Sequence, residues 1–261
     1  MRSLAISSWQ PICGQIVAFR SHPTFCQCLP QHRMQRLVLL ASSSCRVLAP
    51  LLSSVRRAME EHAAKLRLPS TFIEVGSNNS PEPLNQGFNI AAVVSVAAGR
   101  ALSHDHASSF SRHFIDVCSA AAASSLESTP AASPHVLTLL FTSTPSPHCS
   151  STGFTPAPPP SIRHFVAWKF LPDAAPGAVA NAVAGYMNLP QSMPYFSSLE
   201  VGPETSRDPC YSICLYSTFH DAHAQEAFVH DERRIAFKQA LVQPHLAANG
   251  VLVFDFLPLA E

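Results

Sequence analysis

Histidines, acids and cysteines are the residues of this chain whose spacing could support chemistry. His220, Asp221, His223 and His230 crowd one short stretch, and two histidines at i and i+3 can share a metal ion. No third ligand is forced nearby, so the cluster reads as the solvated start of a helix and no metal site is assigned. His104, Asp105, His106 and His113 form a second group, which carries little weight as a catalytic set. Cys210 and Cys214 lie four residues apart, too far to bridge along an extended strand. His164 opens HFVAWKF, and the strand period of two places His164, Val166 and Trp168 on one face.

The composition narrows the function classes. Seventeen basic and seventeen acidic residues cancel over 261 positions, which argues against a general nucleic-acid binder. The balance is uneven: before Glu60 there are seven arginines and no acid. An acid-free, Arg- and Ser-rich N-terminus is the signature of an organellar transit peptide, expected here as a leader over residues 1–33. The alternative is a cytoplasmic protein. The apolar run 37–55 is interrupted by Arg46, Pro50 and several serines, a poor membrane span. The eight cysteines (13, 26, 28, 45, 118, 149, 210 and 214) show no CxxC pair and read as free thiols of a reducing compartment.

The elements that would position these residues are clearest in the last third. HFVAWKF (164–170) is an aromatic and β-branched run. Asp173 then offers an N-cap and Pro176 a first turn, while Val179, Val183, Tyr186 and Met187 recur at helical spacing up to Pro190. FSSLEVG (196–202) and YSICLYSTF (211–219) read as strands, 221–242 as a helix with a break near His230–Asp231, and VLVFDF (251–256) as a buried strand. The 164–170 and 250–256 strands are expected to be central. The order β-α-β-β-α-β is a ferredoxin-like, split βαβ arrangement of the α+β class, whose helices cover one sheet face and leave the other in need of a partner.

RHFVAWKF, LEVG, YSICLYSTF, the AF…AF helix and VLVFDFLP, in this order over 162–258, resemble the stress-responsive A/B barrel family (dimeric α/β barrel, Dabb). The rest of the chain then reads as an earlier copy. TFIEVG (71–76) matches SSLEVG (197–202), RLVLLAS can be laid on HFVAWKF, 52–66 on the first helix, and HVLTLLF on VLVFDF. The expected organisation is a leader at 1–33, a degenerate A/B barrel-like copy at 34–145, a Pro/Ser linker at 146–161 and the A/B barrel domain at 162–258. The segment HASSFSRHFIDVCSAAAASS of the first copy is a weak helix by pattern.

The resemblance implies antiparallel sheets whose open faces close into a barrel around an apolar cavity. It implies a ligand pocket of His164, Val166, Trp168, Tyr186, Leu215, Phe228 and Arg234. Polyketide cyclases of the family work through a Tyr/His pair, and those two positions fall on Phe228 and Arg234. Phe228 has no hydroxyl and Arg234 cannot act as a base near neutral pH. The expected function is therefore non-catalytic, or the binding of a small hydrophobic ligand without a cofactor, nucleic acid or membrane. The alternative is a cyclase-like enzyme acting on an aromatic or polyketide compound. Two assemblies remain open: pairing of the two copies within one chain, or a homodimer through the better-formed second copy, which the weak first copy favours.

Overall fold

The structure is a computed structural model and describes residues 33–42, 48–68, 71–80, 82–97, 102–124, 134–149, 161–175 and 177–259. The leader expected at 1–33, apart from Arg33, and residues 150–160 of the linker lie outside the described residues. The first half runs β1 (Met34–Ala41), α1 (Leu48–Lys65), β2 (Thr71–Ser77), β3 (Ile90–Ala97), α2 (His104–Ser124) and β4 (Val136–Pro145). The second repeats the pattern with β5 (Ile162–Phe170), α3 (Ala178–Ser192), β6 (Phe196–Pro203), β7 (Ile213–Phe219), α4 (Ala222–His230), α5 (Glu232–Phe237) and β8 (Leu246–Phe256).

Local chemistry accounts for most boundaries. MQRLVLLA in β1 is almost continuously apolar because the strand is buried on both faces. In α1, Leu51, Leu52, Val55, Met59 and Ala63 share the buried side, the three-to-four spacing of an amphipathic helix. The weakly patterned α2 is a continuous helix of 21 residues. Phe110, Phe114 and Cys118, each four residues apart, are fully buried on its inner face.

Two helix limits differ from expectation. The helix α3 starts at Ala178 after Gly177, in a left-handed conformation at φ 82°, and not at Asp173. It also continues through Pro190 to Ser192; so close to the helix end, the proline forfeits only one backbone bond. The break near Asp231 is present. Asp231 leaves helical geometry with ψ 120°, its carboxylate accepts from the Arg233 N–H at 2.8 Å, and α5 passes into a π-turn at Lys238–Val242.

The strands form an eight-stranded sheet in the order β2-β3-β1-β4-β6-β7-β5-β8. Within the second half β5 and β7 are therefore central, while β8 is at the edge. The seam between β4 and β6 pairs Thr144 with Val201 and Pro145 with Glu200. The sheet closes where Asn78 bridges Phe256, the Asn79 N–H donates to the Asp255 carbonyl at 2.8 Å, and the Leu259 N–H to the Val75 carbonyl at 2.9 Å. The last strand of each half thus meets the second strand of the other, a pseudo-twofold barrel made by one chain.

The repeated EVG explains how the halves fit. Glu200 accepts from Arg36 Nε and Nη2, both at 2.8 Å, and Glu74 accepts from Arg163 Nε. Each arginine therefore reaches across to the other half. A Cβ on Gly202 would fall 1.9 Å from the Thr142 carbonyl oxygen, and one on Gly76 would fall 2.5 Å from the Phe256 ring; only glycine admits so close a seam. This symmetry equates Arg36 with Arg163. Laying RLVLLAS on HFVAWKF is therefore one residue out of register, which in a strand exchanges the two faces.

Three cores follow from the alternation. One packs the first sheet under α1 and α2, and a second packs the other sheet under α3 to α5. The third fills the barrel with side chains from both halves, among them Val38, Leu139, Phe141, Phe165, Ala167, Phe254 and Phe256. Beside it lie both buried ion pairs, with Ser95 and Ser143 bonded to Arg36 and Glu200, and the Tyr216 hydroxyl donating to Glu74 at 2.7 Å. Burial lowers the affinity of Arg36 for its proton, but Glu200 more than offsets this and the guanidinium stays charged.

The barrel interior is thus a packed core, which corrects the expected barrel cavity. His164, Val166, Trp168 and Leu215 lie on the opposite, helix-covered face. Val166, Trp168 and Leu215 are covered by the chain's own helices, and the inner sheet face is covered by the first half.

Candidate functional site

All seven side chains singled out as a pocket line one cavity between the second sheet and α3–α5. His164, Val166 and Trp168 come from β5, Tyr186 from α3, Leu215 from β7, Phe228 from α4 and Arg234 from α5; Phe196, Val251, Val253, Lys238 and Glu82 complete the wall. The cavity measures about 20 Å³, room for about one water molecule. Rings occupy most of the space. Trp168 stacks on Tyr186 at 4.5 Å, Phe237 meets Tyr186 edge-on at 4.8 Å, and Phe228 meets Phe196 at 4.9 Å. Such pairs each contribute about 0.5–1.5 kcal/mol beyond area burial. Burial pushes the Tyr186 phenol well above its ordinary range, so it remains protonated.

His164 is held by a residue that the motif reading overlooked. Its Nδ1 lies 2.5 Å from Asp255 Oδ1, and the two residues face each other across the β5–β8 pairing. Both are buried. The available signal was an acid in the middle of VLVFDF, since a buried carboxylate requires a partner. With Nδ1 engaged by Asp255, Nε2 is the nitrogen open to chemistry in the cavity that His164 lines.

The mouth is built by both halves. Glu82, in the β2–β3 connection of the first half, faces Arg234 Nη2 at 3.3 and 3.4 Å. The same connection is anchored on β8: the Val253 N–H donates to the Leu84 carbonyl at 3.1 Å, and Gln86 Nε2 to the Val251 carbonyl at 3.1 Å. Arg234 Nη1 donates to the Val229 carbonyl at 3.0 Å, and its guanidinium lies 5.1 Å from the Phe228 ring centre. Arg234 thus pairs with Glu82 of the other half, Lys238 faces the cavity, and Arg233 pairs with Asp231 at 2.5 Å.

The remaining clusters do not converge. Asp221 caps α4 by accepting from the Ala224 N–H at 2.8 Å, and among the described residues no three metal-binding side chains gather. His113 stacks on His62 at 4.8 Å between α1 and α2. Cys210 is exposed and precedes β7, whereas Cys214 is buried in the barrel, so the two do not share a strand face. Among the described residues no helix is long and apolar enough to cross a membrane.

Residues 162–258 match the sequence model of the Stress Responsive A/B Barrel Domain. No curated protein matches the chain. Several solved structures share the fold over both halves. An anthrone oxidase-like protein aligns with a TM-score of 0.55 at 14% identity, covering 88% of this chain and 92% of its own. A candidate monooxygenase from Lactobacillus acidophilus aligns with a TM-score of 0.52 at 12% identity, covering 87% and 94%. Another from Fusobacterium nucleatum reaches 0.50 at 9% identity, covering 89% and 94%. At these identities the likeness is one of fold alone. With the motif order, the split βαβ topology and the sequence match in agreement, residues 162–258 are a stress responsive A/B barrel domain.

Proposed function

We propose that the second copy, with the first copy's connection across its mouth, binds a small aromatic compound between its sheet and α3–α5 and does not convert it. The carrying observation is the convergence of Trp168, Tyr186 and Phe228 on one cavity that has a single histidine in its wall. The rings supply apolar and stacking area, and His164 supplies one oriented polar contact. Phe228 and Arg234 offer neither a phenolic acid nor a base. A cavity of about 20 Å³ is far below the roughly 300 Å³ of ordinary ligand sites, so binding must displace rings of α4 and α5 outward.

A second reading, an enzyme, is favoured by the His164–Asp255 pair. An imidazole oriented by a buried carboxylate is a competent general base through Nε2.

The chain has two tryptophans, Trp9 and Trp168, so a Trp9→Phe variant reports on the cavity through Trp168 fluorescence. Cinnamyl alcohol is expected to change this emission saturably, and His164→Ala to weaken the binding. An emission unchanged up to the solubility limit refutes the binding site. Turnover of an aromatic polyketide thioester, lost in His164→Ala, establishes the enzyme reading instead.

A further inference from the structure

We infer that the ligand of this cavity is an aromatic carboxylate, and that Glu82 of the first copy holds the place of its carboxyl group until it binds. This rests on the binding reading above and names the chemical class that the site would take. Besides His164, the cavity wall carries three ionic side chains: Arg234, Lys238 and Glu82. Two cations therefore face one carboxylate. Among the described residues Lys238 has no ion-pair partner.

The Arg234–Glu82 contact is loose. Its distances of 3.3 and 3.4 Å exceed the about 2.7–2.9 Å of well-made charge-assisted bonds. The same chain makes such a bond well where it is structural, at 2.8 Å between Arg36 and Glu200. The two partners are unequally held. Arg234 is fixed by the Val229 carbonyl and by the Phe228 ring, while the Glu82 carboxylate makes no other hydrogen bond among the described residues, only the Glu82 backbone N–H donating to the Ser80 hydroxyl at 3.3 Å, and the residue stands in a connection without regular structure. A ligand carboxylate can therefore replace that of Glu82 on the Arg234 guanidinium. Its ring would then lie against Phe228, Trp168 and Tyr186. A neutral ligand leaves the Glu82 pair in place, and a cationic one meets Arg234 and Lys238 unfavourably.

The test compares cinnamate with cinnamamide, a neutral ligand of nearly the same shape, by titration calorimetry on the full chain. Cinnamate is expected to bind roughly tenfold more tightly, the order of one charge-assisted contact. Arg234→Gln is expected to abolish the preference. Glu82→Gln is expected to tighten cinnamate several-fold and to leave cinnamamide unchanged. Equal affinity for the two ligands overturns the inference while the binding reading stands; failure of both to bind overturns both. A preference that survives Arg234→Gln, or cinnamate binding that Glu82→Gln leaves unaltered, overturns the exchange at Arg234.

Discussion

Replacing Glu200 by glutamine tests whether the two halves are fastened through the barrel core. Glu200 Oε1 accepts from Arg36 Nη2, and Oε2 accepts from both Arg36 Nε and the Ser143 hydroxyl at 2.7 Å. In Glu200→Gln one oxygen becomes an amide NH2, which must oppose at least one of these donors in either orientation. The substitution also leaves the Arg36 charge, 1% exposed, without its counter-charge. Breaking a buried pair at one end costs about 3–5 kcal/mol, a large part of the roughly 5–15 kcal/mol that stabilises a folded protein. For a chain of this size it corresponds to a fall in melting temperature of about 6–20 °C. Guanidinium unfolding followed by circular dichroism measures the loss. The double variant Arg36→Met, Glu200→Met removes both charges and is expected to recover most of it. A loss below about 1 kcal/mol for the single variant, or a double variant as unstable as the single, refutes the reasoning.

The other predictions concern the seam and the thiols. Gly202→Ala places a methyl group 1.9 Å from the Thr142 carbonyl oxygen and is expected to cost at least about 1–3 kcal/mol as overpacking against backbone; unaltered thermal stability would show that the β4–β6 seam is not close-packed. Burial pushes the Cys118 thiol up to about 12 and, chiefly by the same cause, Cys149 up to about 11. Both therefore remain protonated and unreactive at pH 8 in the folded protein, while exposed Cys210 is alkylated; peptide mapping that finds Cys118 modified as fast as Cys210 refutes this.

Much of the architecture is legible along the chain because it is local. The strand and helix order of 162–258 follows from apolar period, turn residues and length, and the family resemblance from motifs in that order. TFIEVG and SSLEVG mark the equivalent strands of the two halves because two of their residues serve the seam: the glutamate bridges to the other half, and the glycine admits the close approach of the neighbouring strand. The weak patterning of α2 misled because an Ala- and Ser-rich helix needs few anchors, and Phe110, Phe114 and Cys118 suffice.

The period of two places His164, Val166 and Trp168 on one face, and the sequence by itself goes no further. Both faces of β5 are apolar, since the strand is buried on each side, and nothing within it says which side receives helices and which the other half. Tertiary structure decided that the helices cover His164 while Arg163 and Phe165 enter the barrel. Long-range pairing likewise brought Asp255 to His164, 91 positions apart, and Glu82 to Arg234, 152 positions apart. Contacts of this kind depend on closure of the barrel, because only the meeting of β2 with β8 carries the first half's connection onto the second half's cavity.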